Sequence, residues 1–155
     1  MKKLASIIFA AFLLATTACA NGNNNTTSSA GQAGQSGETM NITVTIGTKT
    51  FGATLAESET ARAFAAQFPL TLDMSELNGN EYYAYLSGSL PAASENPRTI
   101  HAGDIKLYGA NCLVIFYKSF STSYRYTDLG TIGDTAELLD ALKASGGKVT
   151  FSVAE

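Results

Sequence analysis

The sequence has few of the residues that build metal sites and nucleic-acid surfaces. Its 155 residues include one histidine and two cysteines, which is short of the three or four nitrogen and sulfur ligands of a usual zinc site. Basic residues are scattered, with ten Lys and Arg against thirteen Asp and Glu, so no basic patch is available for nucleic acid. We therefore expect no cofactor, no metal and no nucleic-acid partner.

Long hydrophobic runs are also scarce. The one such run, from Leu4 to Ala15, is shorter than the roughly 20 residues that a membrane-spanning helix needs. It follows Lys2 and Lys3 and precedes small residues ending in Ala18-Cys19, which is the pattern of an export signal. A cysteine directly after Ala18 predicts cleavage before Cys19 and lipid attachment to its thiol, although Thr16 replaces the aliphatic residue that lipoprotein signals prefer. The alternative is an ordinary secreted protein.

The composition divides the chain into three parts. Residues 1–18 are the expected signal peptide, 19–39 the lipidated cysteine and a polar segment expected to be a disordered tether, and 40–155 one domain. Removal of the signal takes Lys2 and Lys3 away, which leaves eight basic and thirteen acidic residues and a net charge of −5. If Cys19 carries lipid, Cys112 has no partner for a disulfide and is expected to be an inert buried thiol.

Hydrophobic periodicity in the first half of the domain predicts strands and one helix. Alternation over 42–46 and 51–55 around Gly47-Thr48 predicts a β-hairpin. Ser58 is expected to cap a helix whose buried residues are Ala61, Phe64, Ala65 and Phe68, ended by Pro69. Strands are then expected over 70–74 and 82–86, on either side of a turn at 78–80.

The sequence of the second half of the domain predicts a hairpin, a strand, a helix and a final strand. A polar loop is expected over 87–103, followed by a hairpin of strands 104–108 and 111–117. The second of these strands is apolar on both faces. Both faces must therefore be covered, as in a barrel wall that is capped by a helix. A strand over 124–130 and a helix capped by a box of Asp134 and Glu137 follow, then a strand over 149–153. We expect a mainly β fold, a closed antiparallel β-barrel with two short helices. An open α+β sandwich is the alternative.

Three segments resemble the bacterial cyclophilin-like family: PLTLDMSELNGNE at 69–81, IHAGD at 100–104 and LVIFYKSFSTSY at 113–124. The resemblance spans nearly all of 40–153. It implies a small domain with a cyclophilin-type β-barrel, often carried behind a lipoprotein signal. It implies no particular activity.

The chain departs from the prolyl isomerases of the cyclophilin class, which carry a Phe-His-Arg strand and a Gln-Gly-Gly segment that are both absent here. Isomerisation needs a donor that weakens the resonance of the amide, whose rotational barrier is about 18–20 kcal/mol. After the predicted signal the chain has three arginines, and only Arg125 falls on a predicted strand, between Tyr124 and Tyr126. Arg125 is therefore the tentative catalytic residue, and a solvated strand position is its simpler interpretation.

Two further groupings are weak candidates for chemistry. His101, Asp104 and one of the serines at 119, 121 and 123 could form a hydrolytic triad, but no Gly-x-Ser-x-Gly elbow accompanies them. We expect Gly103 and Asp104 to shape the start of a strand instead. Carboxylates at 73, 76 and 81 surround the turn at 78–80, without the spacing of a calcium loop, and a hydrated turn is the favoured interpretation.

The segment 118–126 is the best candidate for a binding site, because it combines aromatic and hydroxyl side chains between two strands. The residues expected in a ligand groove are Tyr82, Tyr117, Ser119, Phe120, Thr122 and Tyr124, with Tyr83 and Tyr85 nearby. The alternative is a barrel wall filled with bulky aromatics.

These patterns together predict a lipid-anchored domain in the cell envelope, facing away from the cytoplasm, that binds a peptide or small molecule without chemistry. A degenerate peptidyl-prolyl isomerase and a purely structural module are the alternatives.

Overall fold

Eleven strands and two short helices make up residues 39–155, the part of the chain that the computed structural model describes. The predicted signal peptide 1–18, the lipidation site Cys19 and the tether as far as residue 38 lie outside the described residues. In chain order the elements are β1 Met40–Ile46, β2 Lys49–Leu55, α1 Glu59–Ala65, β3 Leu70–Asp73, β4 Ser75–Leu77, β5 Glu81–Tyr85, β6 Thr99–Ile100, β7 Asp104–Tyr108, β8 Cys112–Phe116, β9 Phe120–Ser121, β10 Thr127–Ile132, α2 Leu138–Ala144 and β11 Lys148–Val153.

Nine of the strands form one antiparallel sheet in the order β3-β11-β1-β2-β10-β7-β8-β5-β4. Its two edge strands, β3 and β4, are separated by a single residue, Met74. The chain itself therefore links the two edges of the sheet and nearly closes it into a barrel. The backbone N–H of Met74 donates to the carbonyl of Gly147 over 2.8 Å, which fastens this link to the turn before β11.

The barrel interior is filled by residues that alternate along the strands. On β1, Ile42, Val44 and Ile46 are buried while the residues between them are more exposed, as period-two patterning requires. The two helices add Phe64 and Leu142 to the same core. The predicted mainly β fold, an antiparallel barrel with two short helices, is confirmed.

The strand β8 is buried along its whole length, as predicted, but its outer cover differs from the expected helix. The outward residues Cys112, Val114 and Phe116 belong to a second cluster that includes Ile100 on β6 and Tyr126. The strands β6 and β9 pair as a two-stranded ribbon. Because β6 lies inside the predicted loop 87–103 and is two residues long, periodicity could not reveal it.

The predicted cap of the first helix is confirmed, and that of the second is wrong. The hydroxyl of Ser58 accepts from the backbone N–H of Ala61 over 3.1 Å. Asp134 instead accepts from the N–H of Ala136, while the Glu137 carboxylate pairs with Lys49. The helix then starts after Glu137, so the two acids do not cap it as a box. Both helices have seven residues, and none within 39–155 is long and apolar enough to cross a bilayer.

The strand predicted over 124–130 starts later, at Thr127. Tyr126 forms an isolated antiparallel bridge with Glu95, with N–H to carbonyl distances of 2.9 Å in both directions. The residues before Thr127 therefore pair with the long loop rather than with the barrel.

Gly147 is needed at the barrel link for steric reasons. It has a φ of +84°, and a Cβ at this position would overlap the carbonyl oxygen of Met74. The neighbouring Gly146 has a similar φ of +63° but no atom near its Cβ position. We expect Gly146→Ala to lower the free energy of unfolding by about 1 kcal/mol through backbone strain, and Gly147→Ala by about 3 kcal/mol. Equal losses in chemical denaturation would show that the Met74 contact does not constrain the fold.

Candidate functional site

A groove lies on the outer side of the barrel, where β5 and β8 run side by side. In their register Tyr83 is opposite Val114 and Tyr85 is opposite Cys112. Since side chains alternate along a strand, Glu81, Tyr83 and Tyr85 share the outward face with these two residues. Sequence periodicity thus decides which of the clustered tyrosines of β5 can meet a ligand.

The groove, which we call the tyrosine groove, has a volume of about 590 Å³. This volume falls within the range of roughly 300–1,000 Å³ that small-molecule sites occupy. Its lining residues are Leu77, Asn78, Asn80, Glu81, Tyr83, Tyr85, Tyr108, Cys112, Val114, Phe120, Ser121, Thr122, Ser123, Tyr124 and Tyr126.

The wall opposite β5 is built by β9 and the segment that follows it. The Phe120 ring packs on Phe116 with centroids 5.7 Å apart, which anchors the segment to the outer cluster. The N–H of Thr122 donates to the carbonyl of Arg98 over 2.8 Å, and its hydroxyl accepts from the N–H of Tyr124 over 3.1 Å. These short-range bonds hold a segment without strand pairing in a defined path along the groove.

Exposed apolar side chains are concentrated at this groove. Of the five large hydrophobic residues that are exposed among residues 39–155, Leu77, Tyr85, Tyr108 and Tyr124 line it. Tyr108 packs edge-to-face on Tyr124 at 6.2 Å, and Tyr83 packs edge-to-face on Tyr85 at 5.9 Å. A contiguous apolar surface of this kind marks an interaction site more often than scattered apolar residues do.

Among residues 39–155, Glu81 supplies the only carboxylate that lines the tyrosine groove, and no Lys, Arg or His of this range lines it. The residue is 9% exposed, and its cross-strand neighbours are Leu77 and Phe116. None of the four ion pairs among residues 39–155 includes Glu81. Burial raises the pKa of the Glu81 carboxyl above its ordinary value, and the nearby Glu76 carboxylate raises this pKa further.

Two other groups in the groove hold their protons. Burial, reinforced by the charge of Glu81, raises the pKa of the Cys112 thiol. Burial is also the main cause that raises the pKa of Tyr126 to about 12. A neutral thiol is a poor nucleophile, so the groove offers polar contacts and aromatic faces rather than an activated nucleophile.

The structure brings half of the predicted groove residues together. Phe120, Thr122 and Tyr124 line the tyrosine groove, and Tyr82, Tyr117 and Ser119 do not. Tyr82 is buried in the barrel core, because it alternates inward on β5. Tyr117 donates its hydroxyl to Glu76 over 2.9 Å, and the Ser119 hydroxyl accepts from the N–H of Ala102 over 3.0 Å.

Tyr83 and Tyr85, which the sequence predicts near the groove, line it, whereas Tyr108, Tyr126 and Glu81 are groove residues that the sequence analysis did not place there. The alternation of β5 carries a signal for Glu81, Tyr83 and Tyr85. No sequence signal places Tyr108 near Tyr124.

Arg125, the tentative catalytic residue, lies between two groove tyrosines but does not line the groove. Its exposed guanidinium donates to the carbonyl of Ser94. The prediction that Arg125 lies on a strand is wrong, since β10 starts at Thr127.

The histidine and aspartate considered for a hydrolytic triad instead stabilise the turn that precedes β7. The Asp104 carboxylate accepts from the backbone N–H of His101 over 3.0 Å. Gly103 has a φ of +95°, and a Cβ there would lie 2.6 Å from the carbonyl oxygen of Ile132. The preferred interpretation, in which Gly103 and Asp104 shape the beginning of a strand, is confirmed.

The acidic turn is held by Glu76 rather than by its asparagines. The Glu76 carboxylate accepts from the N–H of Gly79 over 2.6 Å and from the Tyr117 hydroxyl. The side-chain oxygen of Asn80 is buried and has no hydrogen-bond donor among the described residues. Within residues 39–155, no three His, Cys, Asp or Glu side chains are grouped as a metal site.

A family model described as the Cyclophilin-like family matches residues 44–154, from within β1 to just beyond β11. The chain belongs to the cyclophilin-like family. A search of curated proteins gives no match to this chain. In this cyclophilin-like domain the tyrosine groove is the site with the strongest physical case for function.

The unpaired carboxylate of Glu81 should lower stability near neutral pH. The native carboxyl holds its proton more tightly than the unfolded one, because its pKa is raised. The free energy of unfolding therefore falls as the pH rises from the unfolded pKa through the native pKa. We expect Glu81→Gln to raise the melting temperature at pH 7.5, and this gain to shrink towards pH 4.

Glu57→Gln is the matched control for the loss of one carboxylate, since Glu57 is exposed and lies outside the groove. Its effect is expected to stay within about 0.5 kcal/mol. A Glu81→Gln variant that is less stable than wild type at pH 7.5 would contradict the burial of an unpaired charge.

Proposed function

We propose that the protein is an exported, lipid-anchored binding domain that holds a peptide or small molecule in the tyrosine groove. The observation that carries this proposal is the concentration of exposed apolar side chains at one groove of ligand size. Rigid aromatic rings on a nearly closed barrel bind a ligand at low entropic cost, since these side chains lose little conformational freedom on binding.

Binding without chemistry fits the groups that line the groove. The Cys112 thiol is held neutral, and the His101 and Asp104 pair lies at the start of β7, outside the groove. The isomerase alternative has less support, since the Arg125 guanidinium is engaged by the Ser94 carbonyl. We therefore propose binding as the activity of this domain.

The location in the cell envelope rests on the sequence. An apolar run flanked by Lys2-Lys3 and Ala18-Cys19 is typical of a lipoprotein signal. Two or three acyl chains on Cys19 would anchor the protein durably, whereas one chain binds a membrane only marginally. The residues between Cys19 and β1 would then act as the spacer between the membrane and the binding domain.

Ligand binding is tested by thermal shift of the full-length protein against a set of short peptides and small metabolites. A ligand at 100 times its dissociation constant stabilises the native state by about 2.7 kcal/mol, which is roughly a 10 °C rise in melting temperature for a domain of this size. We expect the double variant Tyr108→Ala and Tyr124→Ala to lose this rise. Because both rings are about half exposed, the variant should keep its fold.

Tyr117→Phe is the control, since Tyr117 was predicted in the groove from sequence and lies outside it. It should keep the ligand-induced shift while losing the hydrogen bond to Glu76. A shift that persists in the double variant would place binding elsewhere, and no shift with any compound would contradict a binding role.

Lipid attachment is tested by growing cells with an alkyne-bearing fatty acid and detecting label on the protein. We expect label on the wild type and on Cys112→Ser, and none on Cys19→Ser, because the acyl chains are proposed on Cys19. The wild type should also partition with membranes. Label on Cys19→Ser, or an unlabelled wild type, would contradict the anchor.

A further inference from the structure

Among residues 39–155, no basic side chain pairs with the carboxylate of Glu81. The residue as a whole is 9% exposed, lies between Leu77 and Phe116 across the sheet, and faces a groove that no Lys, Arg or His of residues 39–155 lines. A partly desolvated charge gains from a partner of opposite charge that replaces the water it has lost. The protein supplies one half of an ion pair at this position.

The surrounding rings also favour a cation. Five of the seven tyrosines of the chain line the groove with Glu81. The face of a tyrosine ring carries negative potential and attracts an ammonium or guanidinium group within about 6 Å. A neutral ligand gains the apolar contacts but no charge attraction, and an anion is repelled by the carboxylate.

We propose that the occupant of the tyrosine groove is a small organic ammonium ion, whose charge pairs with Glu81 and whose apolar part lies among the tyrosines. This proposal rests on the binding function proposed above and names its ligand class. The groove's volume of about 590 Å³ suits one small molecule. Glu81, the one carboxylate that residues 39–155 place in its lining, matches a single positive charge.

The test compares three probes with one aromatic skeleton and different charges: 2-phenylethylammonium, 2-phenylethanol and phenylacetate. Binding to the full-length protein is followed by calorimetry and by NMR shifts of groove residues, at low salt and neutral pH. We expect the ammonium ion to bind about ten-fold more tightly than the alcohol, and phenylacetate to bind most weakly. The preference should shrink in 1 M salt, because screening weakens the ion pair.

Glu81→Gln keeps the size of the side chain and removes its charge. We expect this variant to bind the ammonium ion and the alcohol equally, while Glu57→Gln keeps the ten-fold preference. The salt dependence of ammonium binding to the wild type is a second measurement of the ion pair that does not depend on the variant.

The remaining outcomes distinguish a failure of the ammonium inference from a failure of the proposed binding function. Equal binding of the ammonium ion and the alcohol to the wild type would overturn the ammonium inference and leave a groove that binds neutral aromatic molecules. A preference that survives in Glu81→Gln would also overturn it. Absence of NMR shifts in the groove with all three probes would overturn the ammonium inference, whereas the binding function fails only if the thermal-shift set of peptides and metabolites also gives no binding. Tighter binding of a blocked Ala-Lys-Ala tripeptide than of 2-phenylethylammonium would replace the small ion with a basic peptide.

Discussion

The burial of β8 on both faces is the constraint on which the rest of the structure depends. All five residues of Cys112–Phe116 are buried, so the strand needs an apolar partner inside the barrel and another outside it. The ribbon of β6 and β9 covers the outer face at Phe116, where Ile100 and Phe120 pack. Towards Cys112 the cover consists of separate tyrosine rings, and the space between them is the tyrosine groove. The groove is thus a consequence of incomplete cover on a strand that cannot face water.

Local patterns in the sequence predicted the barrel but only part of the site. Period-two alternation gave both hairpins and the two-sided burial of β8, because each signal lies within one strand. The meeting of Tyr108 with Tyr124 depends on a turn after β7 and on a segment without regular structure, and no periodicity encodes that. Tyr82 was placed in the groove because it is one of three clustered tyrosines, although the alternation of β5 directs it inward. The capping box failed since Asp134 bonds within its own turn and Glu137 pairs with distant Lys49.

Closure of the barrel shows how a short link can replace a ladder of hydrogen bonds. The strands β3 and β4 lie at opposite edges of the sheet and are neighbours in sequence, so the covalent chain through Met74 joins the edges. The close approach of Gly147 to Met74 fixes this link beside the turn before β11. The side of the barrel that holds β5 therefore has a fixed position relative to the rest, and its outward tyrosines are presented from a rigid surface.

Glu81 is where the sequence departs most clearly from what stability alone would select. A neutral side chain at this position could form the same strand pairs and pack against the same two apolar neighbours. It would avoid the desolvation that raises the pKa of the carboxyl. Membership of the cyclophilin-like family explains the barrel around it, but a fold does not determine which ligand a site selects. A charge that opposes folding and faces a ligand-sized groove is better understood as part of recognition than as part of the scaffold. The ligand selectivity of this domain is therefore to be sought at Glu81 and the tyrosines around it.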